Sequence, residues 1–314
     1  MKVEILSLKI LNNPIFTTIQ DLGRIGFIHT GVSNSGASDD FLFSLANKLL
    51  QNDKNSSMLE ISMGSFEAKF LKNTKIIICG YIEDIYLDDK KIVSFKTLKI
   101  RENQVIKIKN IPFGKKVYLA LKHGFNITKT LGSASSSLKE HLGLYEGRKL
   151  KRDDSLDYLF YEDNFNIKYK GEYLTLNTQE ILTLRVVLSY QHEYFSTEEK
   201  KKFFNEVFTI NNDFNTMACR LDASIPIKCE IDGIISEGIS FGSVQIPKNG
   251  MPIILLKNRQ TIGGYPKIAT VLGIDCFKLS QCAPKQKIKF EEVSLEDAIK
   301  VAFHYNSAIT NIKY

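Results

Sequence analysis

A mainly β protein in two β-barrel-like halves, with a few peripheral α-helices, is the fold this sequence predicts. Three observations carry that reading. Apolar residues come in short runs of strand length, turn-forming residues separate those runs, and few stretches show the wider spacing of an amphipathic helix. The most polar stretch, residues 162–179, splits the 314 residues into comparable parts. The expected division is 1–175 and 176–314.

In the first half, strands are predicted at residues 5–11, 58–63, 66–70, 75–79, 82–87, 98–100, 105–108 and 117–121. The stretch from Tyr86 to Val93 reads as a hairpin with a polar tip. The second set falls at 156–161, 181–190, 227–230, 253–256, 268–272, 277–279 and 288–290. Helices are expected at 39–51, where Asp39 or Asp40 caps and Phe41, Leu42, Leu45, Ala46 and Leu49 share a face. Others start at Ser196, whose spacing to Glu199 is that of a capping box, and at Ser294.

Composition narrows the function. With 43% apolar and 25% charged residues the chain is an ordinary globular one, not a disordered one. A net charge of +7 is compatible with an anionic substrate, yet too thinly spread for a nucleic-acid binder. The five cysteines, Cys79, Cys219, Cys229, Cys276 and Cys282, lack Cys-x-x-Cys spacing and read as buried reduced thiols. The N-terminus lacks a signal-peptide core, and no run nears the ~20 apolar residues of a membrane span. A cytoplasmic protein that binds no membrane and no structural metal is expected.

Three segments carry candidate chemistry. From Thr17 to Asp39 the chain is rich in glycine and hydroxyls, with Asp21, Arg24, Ser35 and Gly36 among them. It reads as a binding loop in which Arg24 pairs with a carboxylate or phosphate, or as a structural loop in which Asp21 and Arg24 pair with each other. It is too polar to look like core. Next, a strand delivers His123 and Gly124 to a turn, followed by Ser133, Ser135 and further serines ahead of a short helical piece at 138–142. Backbone N–H groups and hydroxyls there suit an anion; the alternative is a capped helix with surplus serines. His123 is a candidate proton carrier or a structural histidine. Last, Gly242 to Pro266 contains Gln245, Thr261, the tandem glycines Gly263-Gly264 and Tyr265. Such a backbone can press against a planar or phosphorylated ligand, though the same residues also make tight turns. The Walker loop, the Rossmann fingerprint, His-Glu-x-x-His and Gly-x-Ser-x-Gly are all absent. So is the Ala-Met-Lys-Met of biotin attachment, and no covalently bound biotin is expected.

Taken in order, these segments resemble the biotin-dependent carboxyltransferase-like family, also called allophanate hydrolase subunit 2. Its Thr-x-Gln-Asp-x-Gly-Arg is matched by Thr18 to Arg24, and its Ser-Gly-Ala-x-Asp by Ser35 to Asp39. Ala46-Asn47-Lys48-Leu49 and Leu59-Glu60 ahead of Gly64 follow, then Gly147-Arg148-Lys149-Leu150. Gly242 to Pro247, Gln260 to Pro266 and the Gln-x-x-Pro at Gln281 complete the series. The resemblance implies two cyclophilin-like β-barrel domains, and through the matched motifs it adds Arg148 and Gln281 to the binding set.

What it implies about activity has three forms. Bacterial members are the C-type component of a 5-oxoprolinase, pairing with a kinase-inhibitor-like B-type subunit and an A-type subunit to open 5-oxo-L-proline to L-glutamate with ATP, Mg being its counterion. In urea amidolyases the equivalent module moves a carboxyl group from carboxybiotin to urea. A related pair is a kinase inhibitor and its antagonist, which makes a non-catalytic regulatory partner the third form. The first is the leading expectation. There Arg24 and the Gly263-Gly264 backbone hold developing charge, Gln245, Thr261 and Tyr265 orient a planar substrate, and His123 moves a proton. Loops from both halves are expected to converge on one cleft for a small flat anion.

Three departures stand out. The family's Gly-Ser-Arg-Ser-Thr is Gly132-Ser133-Ala134-Ser135-Ser136, its Asp before Arg-Gln-Thr is Asn258, and its Ser-Asp-Arg-Met-Gly is Asn215-Thr216-Met217-Ala218-Cys219. Two arginines are therefore missing, with Lys122 and Lys129 as candidate replacements.

Overall fold

The computed structural model describes residues 5–159 and 180–310. The polar stretch at 162–179 lies outside them, as do residues 160 and 161 of the strand expected at 156–161. The chain forms two compact units. One gathers residues up to Ile25 and from Ser35 to 159; the other gathers Gly26–Asn34 and residues 180 to Ser307.

The first unit is one nine-stranded antiparallel sheet. Its strands are β1 (Ile5–Ile10), β2 (Phe16–Gln20), β3 (Met58–Phe70), β4 (Thr74–Cys79), β5 (Ile85–Leu87), β6 (Lys90–Ile92), β7 (Leu98–Ile100), β8 (Val105–Leu121) and β9 (Ser155–Leu159). The expected breaks at 64–65 and 109–116 are absent, since 58–63 and 66–70 are one strand and so are 105–108 and 117–121. Left-handed residues at Met63 and Gly64, and at Asn110 and Gly114, are irregularities inside continuous strands, and the β3–β8 register shifts on both sides of Gly64. A bulge bends a strand without ending it, which is why turn-forming residues there mimic a strand end. Asp88 and Asp89 take φ of 46° and 65°, the two-residue turn that matches hairpin twist.

Helix α1 (Asp40–Leu49) starts where expected, with the Asp39 carboxylate accepting from the N–H groups of Phe41 and Leu42, both at 3.1 Å. Its apolar face, with Leu42, Leu45 and Leu49, packs on Ile77, Cys79, Tyr118 and Ala120. The opposite sheet face buries Leu8, Ile61, Phe66, Ile78, Ile106 and Leu119.

The second unit holds a closed seven-stranded barrel. It comprises β10 (Ile181–Leu188), β11 (Phe208–Ile210), β12 (Ala218–Asp222), β14 (Ser243–Gln245), β15 (Ile253–Leu255), β17 (Lys267–Val271) and β18 (Lys287–Glu292). Between them β13 (Glu237–Gly238) and β16 (Ile262–Gly263) pair as a separate short ribbon. Closure leaves the barrel no open edge. Its interior is apolar, with Phe203 of α2 (Thr197–Asn205) stacked on Phe290 at 4.3 Å between centroids. Ser196 caps α2 as expected, while the Glu199 carboxylate turns to Lys202 and the N–H of Lys228. The closing helix is α4 (Leu295–Thr310).

Residues 227–230 are not a strand, and 277–279 lie in a helix, α3 (Gly273–Leu279). The run Phe277-Lys278-Leu279, apolar at both ends, fits a short strand or a turn of helix alike, and here tertiary packing decides. The decisive contact is Asp275, fully buried, which takes Nε and Nη2 of Arg185 at 2.8 and 2.9 Å and Nζ of Lys278 at 2.8 Å. Burial raises the Asp275 pKa, but the bonds from Arg185 and Lys278 outweigh it and hold the carboxyl below its ordinary value. A depressed folded-state pKa gives stability that is present above the unfolded value and lost as the pH falls through the folded one. Urea midpoints are expected to drop as the pH goes below about 4, and Asp275→Asn should flatten that slope while lowering stability at neutral pH. An unchanged pH profile in the variant would remove Asp275 from this role.

The described residues include no helix long and apolar enough to cross a membrane. All five cysteines are free, with Cys79, Cys219 and Cys276 buried.

Candidate functional site

In the first unit the site grows from the end of β2. Thr17, Thr18, Gln20, Asp21 and Arg24 are buried, so the segment that looked too polar for core is core after all. Burial is tolerable because most of these polar groups have partners. Gln20 donates to Thr18 Oγ1 at 2.9 Å. Asp21 is the hub. One carboxylate oxygen accepts from the Gly23 N–H at 2.8 Å, Ser133 Oγ at 2.5 Å and Ser135 Oγ at 2.6 Å, and the other accepts from the Ala134 N–H at 2.8 Å. The serines also close the network on itself: Ser133 Oγ accepts from the Ser135 N–H at 3.0 Å, and Ser135 Oγ accepts from the Asp21 N–H at 2.9 Å. One aspartate thus binds two loops more than a hundred residues apart in sequence.

Arg24 is not paired with Asp21 by a hydrogen bond. It donates from Nη2 to the carbonyl of Ser135, while Nε and Nη1 have no hydrogen-bond partner among the described residues, although the side chain is 0% exposed. Burial lowers its pKa, opposed by the charges of Asp21 and Glu140. Nε and Nη1 are thus unmet donors of a buried guanidinium, the groups through which an arginine fork pairs with carboxylates and phosphates.

Ser35 is buried at φ 52°, and Gly36 follows at φ 95°. A Cβ at Gly36 would come within 3.0 Å of the Gly23 nitrogen and the Leu22 carbonyl carbon, so this glycine allows two loop backbones to touch. The next residues are stapled to the sheet by Glu60, which accepts from Ser38 N–H at 2.7 Å, Ser38 Oγ at 2.8 Å and Tyr118 Oη at 2.7 Å. Tyr118 Oη in turn accepts from the Asp39 N–H at 2.9 Å. Burial, then the Glu60 charge, pushes the Tyr118 phenol pKa up. Sequence reasoning quoted Glu60 within a motif without a role, and missed Tyr118.

Other expected residues sit elsewhere. Residues 138–142 form a turn closed by a Ser137–Leu142 bridge, not a helix, so no helix N-terminus faces an anion there. His123 is exposed on a left-handed turn, its N–H donating to Asn52 Oδ1 at 2.8 Å. Lys122 caps the C-terminal end of α1, donating to the carbonyls of Leu50 and Gln51 at 3.0 and 2.9 Å, so it does not replace a lost arginine. The fork of Arg148 is taken up by Asp154 at 2.7 Å on both oxygens.

In the second unit Gln245 is buried in the barrel wall, and its Nε2 has no hydrogen-bond partner among the described residues. A Cβ on Gly263 would lie 3.1 Å from that nitrogen. The tandem glycines are themselves paired, Gly263 opposite Glu237 and the Gly264 carbonyl accepting from the Ile234 N–H at 2.9 Å. Thr261, half-buried, accepts at its carbonyl from Ile239, and Tyr265 is exposed. Gln281 is buried just beyond α3. Arg259 was missed: it is buried, and donates from Nε to the Ile239 carbonyl at 2.9 Å and from Nη1 to the Leu256 carbonyl at 3.3 Å. Among the described residues no group of three or more His, Cys, Asp or Glu is placed to hold a metal ion.

The family model "Carboxyltransferase domain, subdomain A and B" matches residues 30–292. The chain belongs to this family. It is 32% identical to the C-type component of the Escherichia coli 5-oxoprolinase, over 93% of both chains. To its counterpart in Haemophilus influenzae it is 30% identical, over 90% of both. The crystal structure of the K. lactis urea amidolyase superposes with a TM-score of 0.90 over 98% of this chain at 23% identity; the chain spans 20% of that protein. Within the family frame, two of the three departures are one local change. Asn258 donates from Nδ2 to Thr216 Oγ1 and from its N–H to the Thr216 carbonyl, both at 2.9 Å, so residues 215–219 and 258 lie against each other.

Proposed function

We propose that this chain is the C-type component of an ATP-dependent 5-oxoprolinase, acting with a B-type, kinase-inhibitor-like subunit and an A-type subunit in the cytoplasm. The observation that carries the reading is kinship over nine-tenths of both chains with 5-oxoprolinase components of this type. Opening a five-membered lactam is uphill near neutral pH, and ATP, with Mg as its counterion, supplies the drive. This chain's own residues bind and orient. Arg24 offers Nε and Nη1 to the anion, be it a carboxylate, a phosphate or the oxygen on which charge develops. Asp21, Ser133 and Ser135 fix where that guanidinium points, with Ser35 and Gly36 shaping the same loop. Gln245 orients the planar ring beside Gly263 and Gly264, with Thr261, Tyr265 and Gln281 on the same unit, and His123 is the candidate proton carrier. Arg148 acts through its pair with Asp154, which holds the loop after the serines.

A second reading, carboxyl transfer from carboxybiotin to urea, is favoured by the fold shared with the urea amidolyase. A third, a regulatory partner without turnover, is favoured by the missing arginines. Phosphate release by the three-protein mixture separates them. Release that depends on 5-oxo-L-proline and on this chain supports the first. Biotin-dependent consumption of urea without it supports the second, and binding of the B-type partner with neither turnover supports the third.

A further inference from the structure

A cavity of about 250 Å³ lies at the end of the barrel where β12 and β14 finish and β15 begins, among residues to which the reading above gives no task. Its two walls are the chain after β12, residues 226–232, and the β14–β15 turn, residues 246–250. They are joined at Gly250. The Gly250 carbonyl accepts from the Ile227 N–H at 3.0 Å, and its own N–H donates to the Pro247 carbonyl at 2.8 Å. Gly250 has φ 74°, and a Cβ there would lie 2.5 Å from the Pro226 Cβ and 2.8 Å from the Ile227 carbonyl oxygen. Only glycine lets the walls meet this closely.

The first wall is also tied to the body of the unit. The Lys228 N–H donates to the Glu199 carboxylate at 2.9 Å, and the Glu230 N–H to the Tyr194 carbonyl at 2.9 Å. Ile227 and Ile246 are 1% and 2% exposed and belong to the barrel core. The cavity is therefore preformed, as small-molecule sites usually are.

Ile227 and Ile231 from one wall, with Ile246 and Pro247 from the other, make the lining largely aliphatic. Cys229 adds a thiol, its Sγ 3.4 Å from the Tyr194 carbonyl oxygen. Burial pushes that thiol's pKa up, so it stays protonated at neutral pH and acts as a soft apolar group. The charged lining residues are Lys228, Lys248 and Asp232, one positive charge in excess. Lys248 on one wall reaches Asp232 on the other, Nζ to Oδ2 at 2.9 Å. Their side chains are 68% and 84% exposed, which puts the pair at the rim. An exposed ion pair of this kind is weak and exchanges readily for another carboxylate.

Aliphatic walls beneath an ammonium whose own partner is a carboxylate select an acid with a hydrocarbon body. The room available, the liquid share of about eight water molecules, limits that body to a small ring or short chain.

We propose that this cavity binds a small aliphatic or alicyclic monocarboxylate, its hydrocarbon part against Ile231 and Ile246 and its carboxylate on Lys248 in exchange for Asp232. Asp232 is then an internal competitor, holding the ammonium until a ligand takes it. The inference stands on the cavity and does not rest on the oxoprolinase reading.

Titration of the full chain with cyclopentanecarboxylate, followed by ligand-observed NMR, tests it, with cyclopentylmethanol as the neutral counterpart. The acid should bind about fivefold or more tightly than the alcohol. Lys248→Met should weaken the acid about threefold or more, whereas Asp232→Asn should tighten it about twofold or more, and the alcohol should ignore both. Opposite signs from the two halves of one ion pair are the signature, because losing a merely structural pair moves both variants the same way. Both substitutions are at exposed side chains, and the comparison of acid with alcohol needs no variant at all. Alkylation of Cys229 by N-ethylmaleimide, read by peptide mass, locates the ligand: saturating acid should slow it about twofold or more while leaving Cys282 unchanged. 5-oxo-L-proline, itself an alicyclic carboxylate, is the second probe. The same signature with it makes this a site for the substrate's carboxylate, and the signature with cyclopentanecarboxylate alone makes it a site for a different acid; either supports the proposal. Equal binding of acid and alcohol, a shift of the same sign in both variants, unprotected Cys229, or no saturable binding overturns it. The oxoprolinase reading is untouched by those results, since phosphate release tests it separately.

Discussion

Arg24→Met is expected to leave the chain about as stable as before and to lower 5-oxo-L-proline-dependent phosphate release about 100-fold or more. Two opposed effects set the stability. The substitution strips the Ser135 carbonyl of a charge-assisted bond, which costs about 1–3 kcal/mol. It also removes a buried guanidinium whose Nε and Nη1 have no partner, and an apolar residue of similar volume in such a place is often neutral or stabilising. Asp21 keeps its four donors throughout. The net change should stay within about 1 kcal/mol. Activity has no such offset, since a methionine cannot donate to an anion. A urea midpoint together with the three-protein phosphate assay decides the matter. Loss of fold and activity in parallel would make Arg24 a structural cation. Full activity would end its anion-holding role. Arg24→Lys is expected to restore little, because an ammonium cannot donate to Ser135 and to a ligand in the geometry of a planar fork.

Much of the first unit was legible in the sequence because its strands and its helix obey local rules. Asp39 caps α1 and Asp88-Asp89 turn the hairpin through chemistry contained within a few residues. What was hidden depends on distant partners. Thr17, Thr18 and Asp21 look like loop residues until Ser133, Ala134 and Ser135 arrive from elsewhere to satisfy the aspartate. The bulges at Met63-Gly64 and Asn110 to Gly114 mimic strand ends because a bulge and a turn both call on residues that accept positive φ. Residues 277–279 look like strand because the ion pair that holds them in a helix starts at Arg185 on another strand. The site shows the same split. The motif Thr18 to Arg24 announced itself, yet Arg24's partner is a backbone carbonyl, which no side-chain pattern reveals. Asp232 and Lys248 stand sixteen residues apart, and the bond from Ile227 to Gly250 that brings their segments together leaves no mark on the side-chain pattern. Lys122 looked like a spare cation for the opposite reason: nothing in its neighbours says that it ends a helix.

Asp21→Ala should be the most damaging single change in the first unit, costing about 3–5 kcal/mol, a fall in melting temperature on the order of 10 °C. Its carboxylate gathers two backbone N–H groups and two hydroxyls in a place without water access, and alanine leaves all four donors unsatisfied at once. The two hydroxyls can rotate toward other acceptors; the N–H groups of Gly23 and Ala134 cannot. Asp21→Asn keeps one accepting oxygen and turns an amino group toward one of those N–H groups, so it should fall between alanine and the unmodified chain. Ser133→Ala and Ser135→Ala each remove one donor to the carboxylate and the acceptor of one buried backbone N–H while leaving the rest of the hub in place, and each should cost about 1–2 kcal/mol. The ordering carries the content: the aspartate far above either serine, with activity falling alongside because the Ser135 carbonyl that aims Arg24 loses its position. Equal costs for all three, or an Asp21→Ala chain that melts with the unmodified one, would mean that packing around the loops holds them together and the carboxylate merely occupies the space between.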